Sequence, residues 1–444
     1  MNKHFLSLSL ILGMVSFWGI NFLPEKYHYL YWIAGTIWGI CFTLSVINSN
    51  DENYFSKKIL FGIILLHLSA ILSGPILEDD FYRYSWDGRN IRMGIHPYNQ
   101  SPYEQVSGVK SKVEDYSFSE LPLEKELEHF PEYTVKINYP MYRTVYPPLA
   151  ELCFASEVLA PDTHYGWPIF LLIVDLMFIY FLVSKSKIPF ISACLLLTNP
   201  LLLKEGLNSL HFDFLLVPLL FLYLYHLGKN HPLILGLMCG LRPWFAALIL
   251  WEYKNWRIKD YAVFVAALVL PWVLLLLYPG FPEDGFSSWS AFVKSWEFNA
   301  LFHEILRFIL GFFTNNESIY RASGWLIGFS LIFTVWRIKK ENNAYGFAVL
   351  AAWLLFLPTV NPWYLMPIAT VLVINSDLKL KAFGCALTVI LPMAYIHYEH
   401  FSPGSIPALS WAVFELITGY VIYQIVLKSG KKNLTDQTAC EANI

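Results

Sequence analysis

The sequence EDDFYRYSWDGR, residues 78–89, follows directly on the hydrophobic segment 59–77. That segment has the length and the apolar composition of a bilayer-spanning helix. Its end therefore places the carboxylates of Glu78, Asp79 and Asp80 at a membrane surface, where charged side chains are costly unless they have partners or a chemical task. The stretch predicts a membrane-spanning fold with a functional site at the mouth of one helix.

The composition is typical of a polytopic membrane protein. The chain has 444 residues, of which 56% are hydrophobic and only 15% are charged, whereas soluble domains carry roughly a quarter charged residues. The formal net charge is −3, and no basic run is long enough to indicate a nucleic-acid partner. The six cysteines are scattered without metal-binding spacing, so we interpret them as packing residues.

Apolar windows of about 16–21 residues recur along the chain, each roughly one bilayer's worth of helix. They predict an all-α fold with about 11–13 transmembrane helices in one domain, residues 1–444. We interpret the first window as a retained signal anchor. The region 231–250 contains Gly236, Gly240 and Pro243, which predict a broken or re-entrant hairpin. The windows are 5–23, 30–48, 59–77, 165–184, 189–204, 212–228, 260–279, 321–338, 344–360, 363–377, 381–397 and 407–427.

Basic residues indicate the orientation of these spans. They fall at every second boundary between spans, provided that 231–250 begins and ends on the same face. By the positive-inside rule these boundaries are cytoplasmic, and 428–444 is a cytoplasmic tail. The long loop 78–164, in which we expect only short helices, and the loop 280–320 then lie on the non-cytoplasmic face. Most of the chemically interesting residues share that face.

Helical spacing divides the charged residues of the opening stretch into two groups. If the chain continues as a helix after Asp79, Asp79, Arg83 and Asp87 share one stripe, and Asp80 and Tyr84 share the adjoining one. Arg83 would then hold two carboxylates ionised. Because one of two adjacent acids opposes the ionisation of the other, the free acid suits a general base, and the spacing leaves both Asp79 and Asp80 open for that role. The alternative is a solvated first turn, where acids favour the helix dipole.

Three further candidates lie where span 189–204 ends and the next begins. Pro200 and Gly206 are expected to break the helix, and Glu205, His211 and Asp213 follow on the same face as the acid pair. Asp213 could instead be a plain N-cap of the next span.

An arginine and several aromatic residues complete the candidates. Arg242 lies in an apolar stretch, where it suits either a phosphate oxyanion or a structural ion pair. The outer-loop motifs WEFN at 296–299 and NPWY at 361–364 suit a sugar ring, although interfacial aromatic belts offer the same residues. His96 lies in the Gly/Pro turn 94–98, which is otherwise an ordinary turn.

Together these motifs resemble the GT-C class of polytopic glycosyltransferases, which take sugars from polyprenyl-phosphate donors. The nearest likeness is to bacterial mannosyltransferases related to the phosphatidylinositol-mannoside group. Their outer-loop series DD-x-YRY-x-WDGR, G-x-NPY and YPP is similar to residues 79–89, 94–98 and 146–148, except that His96 stands in place of asparagine.

The resemblance implies an inverting transfer of a hexose, with mannose as the family-level expectation, from a polyprenyl-phosphate donor to a hydroxyl of a lipid or glycan acceptor. It implies a bacterial inner-membrane protein among membrane lipids, with its active site on the non-cytoplasmic face and Asp79 or Asp80 as the base. Some members of the class use a divalent metal, and Mg²⁺ or Mn²⁺ could find oxygen ligands at Asp79, Asp80 and Asp213. The residues expected to bind substrate are Arg83, Tyr84, Asp87, Arg89, His96, Tyr146, Glu205, His211, Asp213, Arg242, Trp296, Asn299, Trp363 and Tyr364.

Two other functions remain open at this point. O-antigen ligases and polymerases also combine many spans with a large outer loop, although they rely on arginine and histidine there. A flippase or transporter of lipid-linked sugars would place ionisable residues near the midplane and repeat its two halves. Here an acid pair begins the loop and no repeat is evident.

Overall fold

The computed structural model describes residues 3–20, 22, 31–47, 57–108, 132–161, 163–226, 231–282, 288, 296–298, 301–339, 343–393, 395–396, 400–402 and 404–441. Secondary structure in these ranges is helical, apart from one isolated bridge between Phe298 and Thr359. The α-helices are α1 Lys3–Ile20, α2 Tyr31–Ile47, α3 Lys57–Leu72, α4 Asp80–Arg92, α5 Pro102–Ser107, α6 Pro148–Phe154, α7 Gly166–Ser184, α8 Phe190–Leu197, α9 Leu216–Phe221, α10 Pro232–Leu241, α11 Ile249–Glu252, α12 Ile258–Leu276, α13 Leu301–Leu310, α14 Glu317–Lys339, α15 Asn343–Leu354, α16 Pro362–Leu372, α17 Leu378–Ile390 and α18 Ile406–Glu441.

Four described segments are long and apolar enough to cross a membrane, and a bent pair of helices would make a fifth. Only 17% of the α12 window and 22% of the windows in α14 and α18 are buried inside the protein, so these helices present apolar side chains outward, as lipid-facing helices do. The described chain is thus all-helical with several candidate spans, in agreement with the coarse prediction. Shorter apolar helices coincide with other predicted windows, and the count of about 11–13 spans stays a prediction. The four segments are Gly166–Ser184, Ile258–Leu276, Glu317–Ile338 and Ile406–Ser429.

The predicted span 189–204 is two helices rather than one. α8 and the π-helix Leu202–Asn208 meet at an angle of 62°. Pro200 lacks the N–H that would continue the ladder of α8. Asn199 Oδ1 accepts instead from the backbone N–H of Leu201 at 2.9 Å, which caps the second helix. The expected break at Gly206 is wrong, because this residue lies inside the π-helix.

The predicted hairpin 231–250 is interrupted at one place only. Arg242 adopts an extended conformation, with φ −143° and ψ 106°, between α10 and a 3₁₀-helix, Pro243–Leu248. This is the conformation that a following proline favours. Gly236 and Gly240 lie inside α10 and do not break it. The break leaves the Arg242 side chain at the end of an apolar helix.

The loop 78–164 contains short helices, as predicted, in the part that the structure describes. α4 packs closely on the C-terminal end of α6, since a Cβ atom on Gly88 would lie 2.0 Å from the carbonyl oxygen of Phe154. Only glycine permits that approach. α4 is therefore fixed against the loop behind it, and its first residue, Asp80, follows α3 in the chain.

A buried ion pair fixes α3 within the helical core. His67 Nδ1 lies 2.9 Å from Asp175 Oδ2 on α7, and His67 Nε2 lies 2.8 Å from the carbonyl oxygen of Leu197 at the end of α8. Both partners of the ring are acceptors when Asp175 is ionised, so both ring nitrogens then carry a proton. One side chain thus joins three helices beneath the acidic stretch.

Candidate active site

The three acids of residues 78–80 form one cluster shortly after the C-terminal end of α3. One carboxylate oxygen from each of Glu78, Asp79 and Asp80 lies within 4.8 Å of the other two. The amide nitrogen of Asn138 donates to Asp79 Oδ1 at 2.5 Å and to Asp80 Oδ1 at 3.1 Å. Asn138 follows the 3₁₀-helix Glu132–Lys136, so the far end of the long loop folds back onto the acid pair.

His211 lies at the centre of the site and is fully buried. Its Nδ1 lies 3.1 Å from the hydroxyl of Tyr84 and 4.0 Å from Asp80 Oδ2, so Asp80 and Tyr84 do share a face of α4. Its ring stacks on Trp363 with centroids 3.8 Å apart. Burial, together with the charges of Lys204 and Arg242, holds the pKa of His211 well below its usual range, so the ring is neutral near pH 7.

A second polar group lies behind His211. Glu205 Oε2 lies 3.6 Å from His211 Nε2, and the hydroxyl of Tyr395 donates to Glu205 at 2.9 Å. Lys204 donates to Ser209 at 2.6 Å and supplies a buried positive charge 3.7 Å from Glu205. Buried charges persist only when they are paired in this way.

Arg242 is paired with Asp213. Its Nε and Nη2 donate to Asp213 Oδ1 at 2.7 Å and to Oδ2 at 2.5 Å, and its guanidinium lies between the rings of Phe212 and Tyr364 at 4.3 and 4.4 Å. Asp213 is therefore not an N-cap, since the N-cap position of its 3₁₀-helix is His211 and no side chain caps it. The structural ion pair is confirmed for Arg242, and its two-nitrogen fork is taken by Asp213 rather than free for a phosphate.

Arg83 holds one of its two predicted carboxylates. Its Nε bonds to both oxygens of Asp87, at 3.0 and 2.9 Å, and its Nη1 donates to the carbonyl oxygen of Tyr142 at 2.7 Å. None of these three bonds involves Asp79. The bond to the Tyr142 carbonyl anchors α4 to the loop, and Asp79 remains beside Asp80 and Asn138.

Burial and the like charge of Asp80 raise the pKa of Asp79 from 3.8 to about 7, against the opposing hydrogen bond from Asn138. Burial also raises the pKa of Asp80, whereas Asn138, Arg242 and Arg83 act to lower it. Arg242 is therefore near enough for its charge to be felt at Asp80. Asp79, with its pKa of about 7, is thus basic near neutral pH.

Backbone strain is concentrated around the same groups. Among the described residues, the non-glycine residues with positive φ are Leu77 at 60°, Tyr139 at 47° and Leu210 at 59°. Each is the immediate neighbour of a site residue, namely Glu78, Asn138 and His211. A left-handed conformation costs a non-glycine residue about 1–3 kcal/mol and persists where the surroundings impose it, often at functional sites. The strain indicates the same location independently of the charges.

Aromatic rings line the site and support its walls. The Tyr146 ring packs against Tyr84 with centroids 5.0 Å apart, and Trp296 packs against Tyr139 at 4.4 Å. Tyr364 covers Arg242, and Trp363 covers His211. Their contacts make these four predicted residues part of one enclosure.

Three residues predicted to bind substrate have no observed contact with the acid pair among the residues that the structure describes. His96 uses Nε2 at 2.9 Å from the carbonyl oxygen of Leu275 and Nδ1 to accept from the N–H of Tyr98, so it fixes the turn to the end of α12 instead of facing the acids. Arg89 lies on α4, and its Nε has no hydrogen-bond partner in the described part of the chain. Asn299 lies outside the described residues.

The residues missed by the sequence argument are Asn138, Lys204, Asn208 and Tyr395, and Glu78 was not assigned a role. Asn138 and Tyr395 carry no local signal, because each reaches the site from a distant segment. Lys204 did offer one, as a lysine within an apolar window, where a charge calls for a partner.

The carboxylates of Glu78, Asp79 and Asp80 lie close enough together to hold a metal ion. Asp213, the third ligand expected from the sequence, is instead paired with Arg242. Binding of Mg²⁺ or Mn²⁺ stays a prediction, and we derive no step through either ion.

Asn208 holds the connection that leads into the acidic cluster. Its amide nitrogen donates to the carbonyl oxygens of Ala70 at 3.1 Å and Gly74 at 2.6 Å and to Ser73 Oγ at 3.0 Å, and its Oδ1 accepts from the N–H of Ile76 at 3.0 Å. One side chain thereby fixes the end of α3 and the turn that precedes Glu78.

We expect Asn208→Ala to destabilise the protein by about 1–3 kcal/mol, because it strands buried backbone groups of the connection. We also expect it to lower the activity of the site, since the acids lose their support. Thermal unfolding of the purified protein measures the first effect. Asn316→Ala is the control, because Asn316 caps a solvent-exposed turn far along the chain. Equal unfolding temperatures for Asn208→Ala and wild type would contradict the proposal that Asn208 holds this connection in place.

Comparisons with protein-family models, with curated proteins and with solved structures gave no match.

Proposed function

We propose that the chain is an integral membrane glycosyltransferase of the GT-C type, which transfers a hexose, with mannose as the first candidate, from a polyprenyl-phosphate donor to a hydroxyl of a lipid or glycan. The observation that carries the proposal is the half-buried carboxylate pair of Asp79 and Asp80, which Asn138 bridges, together with the charge of Arg242 that acts on Asp80. A base and a cation in one site suit a reaction in which a hydroxyl loses a proton as an anion departs.

Asp79 is the proposed general base. Its raised pKa of about 7 makes its carboxylate a competent proton acceptor near neutral pH, and its neighbour Asp80 increases that basicity by repulsion. Asp80 is the proposed positioning acid, because its charge is balanced by Arg242 and Arg83. Asn138 holds both carboxylates in one orientation.

Arg242 is the proposed contact of the donor phosphate. Asp213 occupies its Nε and Nη2, so Nη1 is the nitrogen left to donate to a phosphate oxygen. Asp213, Phe212 and Tyr364 hold the guanidinium in place before any donor arrives, which reduces the reorganisation that binding requires.

The proposed reaction is a single displacement. Asp79 takes the proton of the acceptor hydroxyl, the hydroxyl oxygen forms a bond to the anomeric carbon, and the bond from that carbon to the phosphate oxygen breaks. The electron pair leaves with the polyprenyl phosphate, next to Arg242. Attack opposite the leaving group inverts the anomeric configuration. Trp363 and Tyr146 are the proposed apolar surfaces for sugar rings.

The proposed setting is the bacterial inner membrane, with about 11–13 spans and the site on the non-cytoplasmic face. The acids then lie at the bilayer surface, where a lipid-borne phosphate and a water-borne or lipid-borne hydroxyl can meet.

Transfer by the purified protein in proteoliposomes tests the donor class. Three donors carry the radiolabelled mannose: one is linked to polyprenyl phosphate, one to polyprenyl diphosphate and one to a nucleotide. Each product is separated from its donor. We expect glycosyl transfer from the monophosphate alone. Use of only the diphosphate would favour a ligase or polymerase, and movement of uncleaved donor across the bilayer would favour a flippase. Either outcome would contradict the proposal.

A further inference from the structure

A second cluster of charged and metal-ligating side chains lies outside the candidate active site, around α13. Glu297 precedes this helix, His303 lies within it, and Glu317 begins α14. One ligand atom from each residue lies within 4.8 Å of the other two, and His303 Nε2 is 3.9 Å from Glu317 Oε2. Three segments of the chain thus bring together one imidazole and two carboxylates.

His303 is the unusual member of this cluster. Its side chain is 0% exposed, and neither ring nitrogen has a hydrogen-bond partner in the part of the chain that the structure describes. A buried polar group without a partner costs about 1–3 kcal/mol. An imidazole nitrogen close to two carboxylate oxygens is also a ligand set that a divalent transition metal uses.

We propose that Glu297, His303 and Glu317 form a binding site for one divalent transition-metal ion, with zinc as the first candidate. One nitrogen and two carboxylate oxygens suit zinc, and a fourth position remains for water. Bonds of about 2.1 Å in a tetrahedron separate ligand atoms by roughly 3.4 Å. The observed 3.9 Å therefore has to close by about half an ångström through a movement of the Glu317 side chain, which is 52% exposed and whose Oε2 also accepts from Arg307 Nη2 at 3.1 Å.

Two arginines orient the ligating carboxylates. Arg307 donates to Glu297 Oε1 at 2.6 Å and to Glu317 Oε1 at 2.9 Å, and Arg321 donates to Glu297 Oε1 at 3.0 Å. Ligating carboxylates are usually hydrogen-bonded to such outer partners, which leave other lone pairs for the metal. With Glu304, which also contacts Arg307, the cluster holds three carboxylates and two guanidinium groups, and Arg307 and Arg321 oppose positive charge at the His303 ring itself.

The ion would tie together structure that supports the other site. Glu297 is flanked by Trp296, which packs on Tyr139, and by Phe298, whose ring lies 6.2 Å from that of Trp363. The site would thus fasten the 296–298 segment to α13 and α14. This role does not depend on the proposed glycosyl transfer.

Zinc binding by the full-length protein in detergent tests the proposal. The protein is stripped with a chelator, incubated with zinc chloride and desalted, and bound zinc is measured by mass spectrometry. We expect about one equivalent in wild type, and at least about a tenfold weaker affinity in His303→Gln and in Glu317→Gln. His231→Gln is the control and should bind as wild type does.

Glu317→Gln replaces the carboxylate of a half-exposed side chain by a neutral amide, which the fold should tolerate. This variant therefore keeps the test decisive if His303→Gln fails to fold. Cobalt chloride gives a second readout, because a tetrahedral N/O site produces visible absorption that both variants should lose. A wild-type protein without retained zinc, or variants that retain as much as wild type, would identify the cluster as an ion-pair network only and overturn the proposal.

Discussion

The Asp79→Asn variant is expected to lose glycosyl transfer by about 10²–10⁴-fold, the range that general-base catalysis contributes. Asparagine keeps the size of the side chain and can still accept from Asn138, but it cannot take a proton at neutral pH. The loss should therefore appear in kcat, while the binding of the donor changes little. Initial rates with the polyprenyl-phosphate donor over a range of acceptor concentrations measure both.

Asp80→Asn provides the comparison within the same cluster. It removes the negative charge that raises the pKa of Asp79, so transfer should fall less than in Asp79→Asn, and donor affinity should change because the charges of Asp80 and Arg242 interact. Thermal unfolding of both variants separates catalytic loss from misfolding. An Asp79→Asn protein that is folded and retains full transfer would exclude Asp79 as the base.

The Asp213→Ala variant is expected to lose about 3–5 kcal/mol of stability, because it leaves the Arg242 guanidinium buried without its partner. The effect should be larger than that of any exposed ion pair in this protein, since surface pairs contribute about 0–1 kcal/mol. Unfolding by denaturant in mixed micelles measures the change in the free energy of unfolding.

The double variant Asp213→Leu with Arg242→Met is the control for that interpretation. It replaces both charges by apolar side chains of similar size, which is often neutral for stability. We therefore expect stability close to that of wild type but weak donor binding, because no cation remains for the phosphate. If Asp213→Ala has the same free energy of unfolding as wild type, then the ion pair between Asp213 and Arg242 does not stabilise the fold.

The sequence predicts the site better than it predicts the helices around it. The acidic stretch could be recognised because residues 78–80 follow an apolar segment, and the i,i+4 rule correctly paired Arg83 with Asp87. Glu205, His211 and Asp213 were expected on the same face, and the structure places His211 beside Asp80, Glu205 beside His211, and Asp213 against Arg242. Composition and local spacing suffice for such statements.

Other features depend on tertiary contacts that local patterns do not contain. Span 189–204 has one continuous apolar pattern, but Pro200 and the Asn199 cap divide it into two helices at 62°. Asn138 lies 58 positions after Asp80, and Tyr395 lies 190 positions after Glu205. The pairing of Arg242 with Asp213 could not be predicted from local patterns either. The two residues are 29 positions apart in the chain, and a helix break lies between them.

The pH dependence of transfer by wild type and by Asp79→Asn tests the central claim most directly. The base acts only when it is ionised, and the pKa of Asp79 is raised to about 7. The wild-type kcat should therefore rise about tenfold per pH unit below about pH 7 and level off above it, measured from about pH 5 to about pH 9. The residual rate of Asp79→Asn should lack this acidic limb. A wild-type rate that is flat over the whole range, or an acidic limb that persists unchanged in Asp79→Asn, would contradict the account.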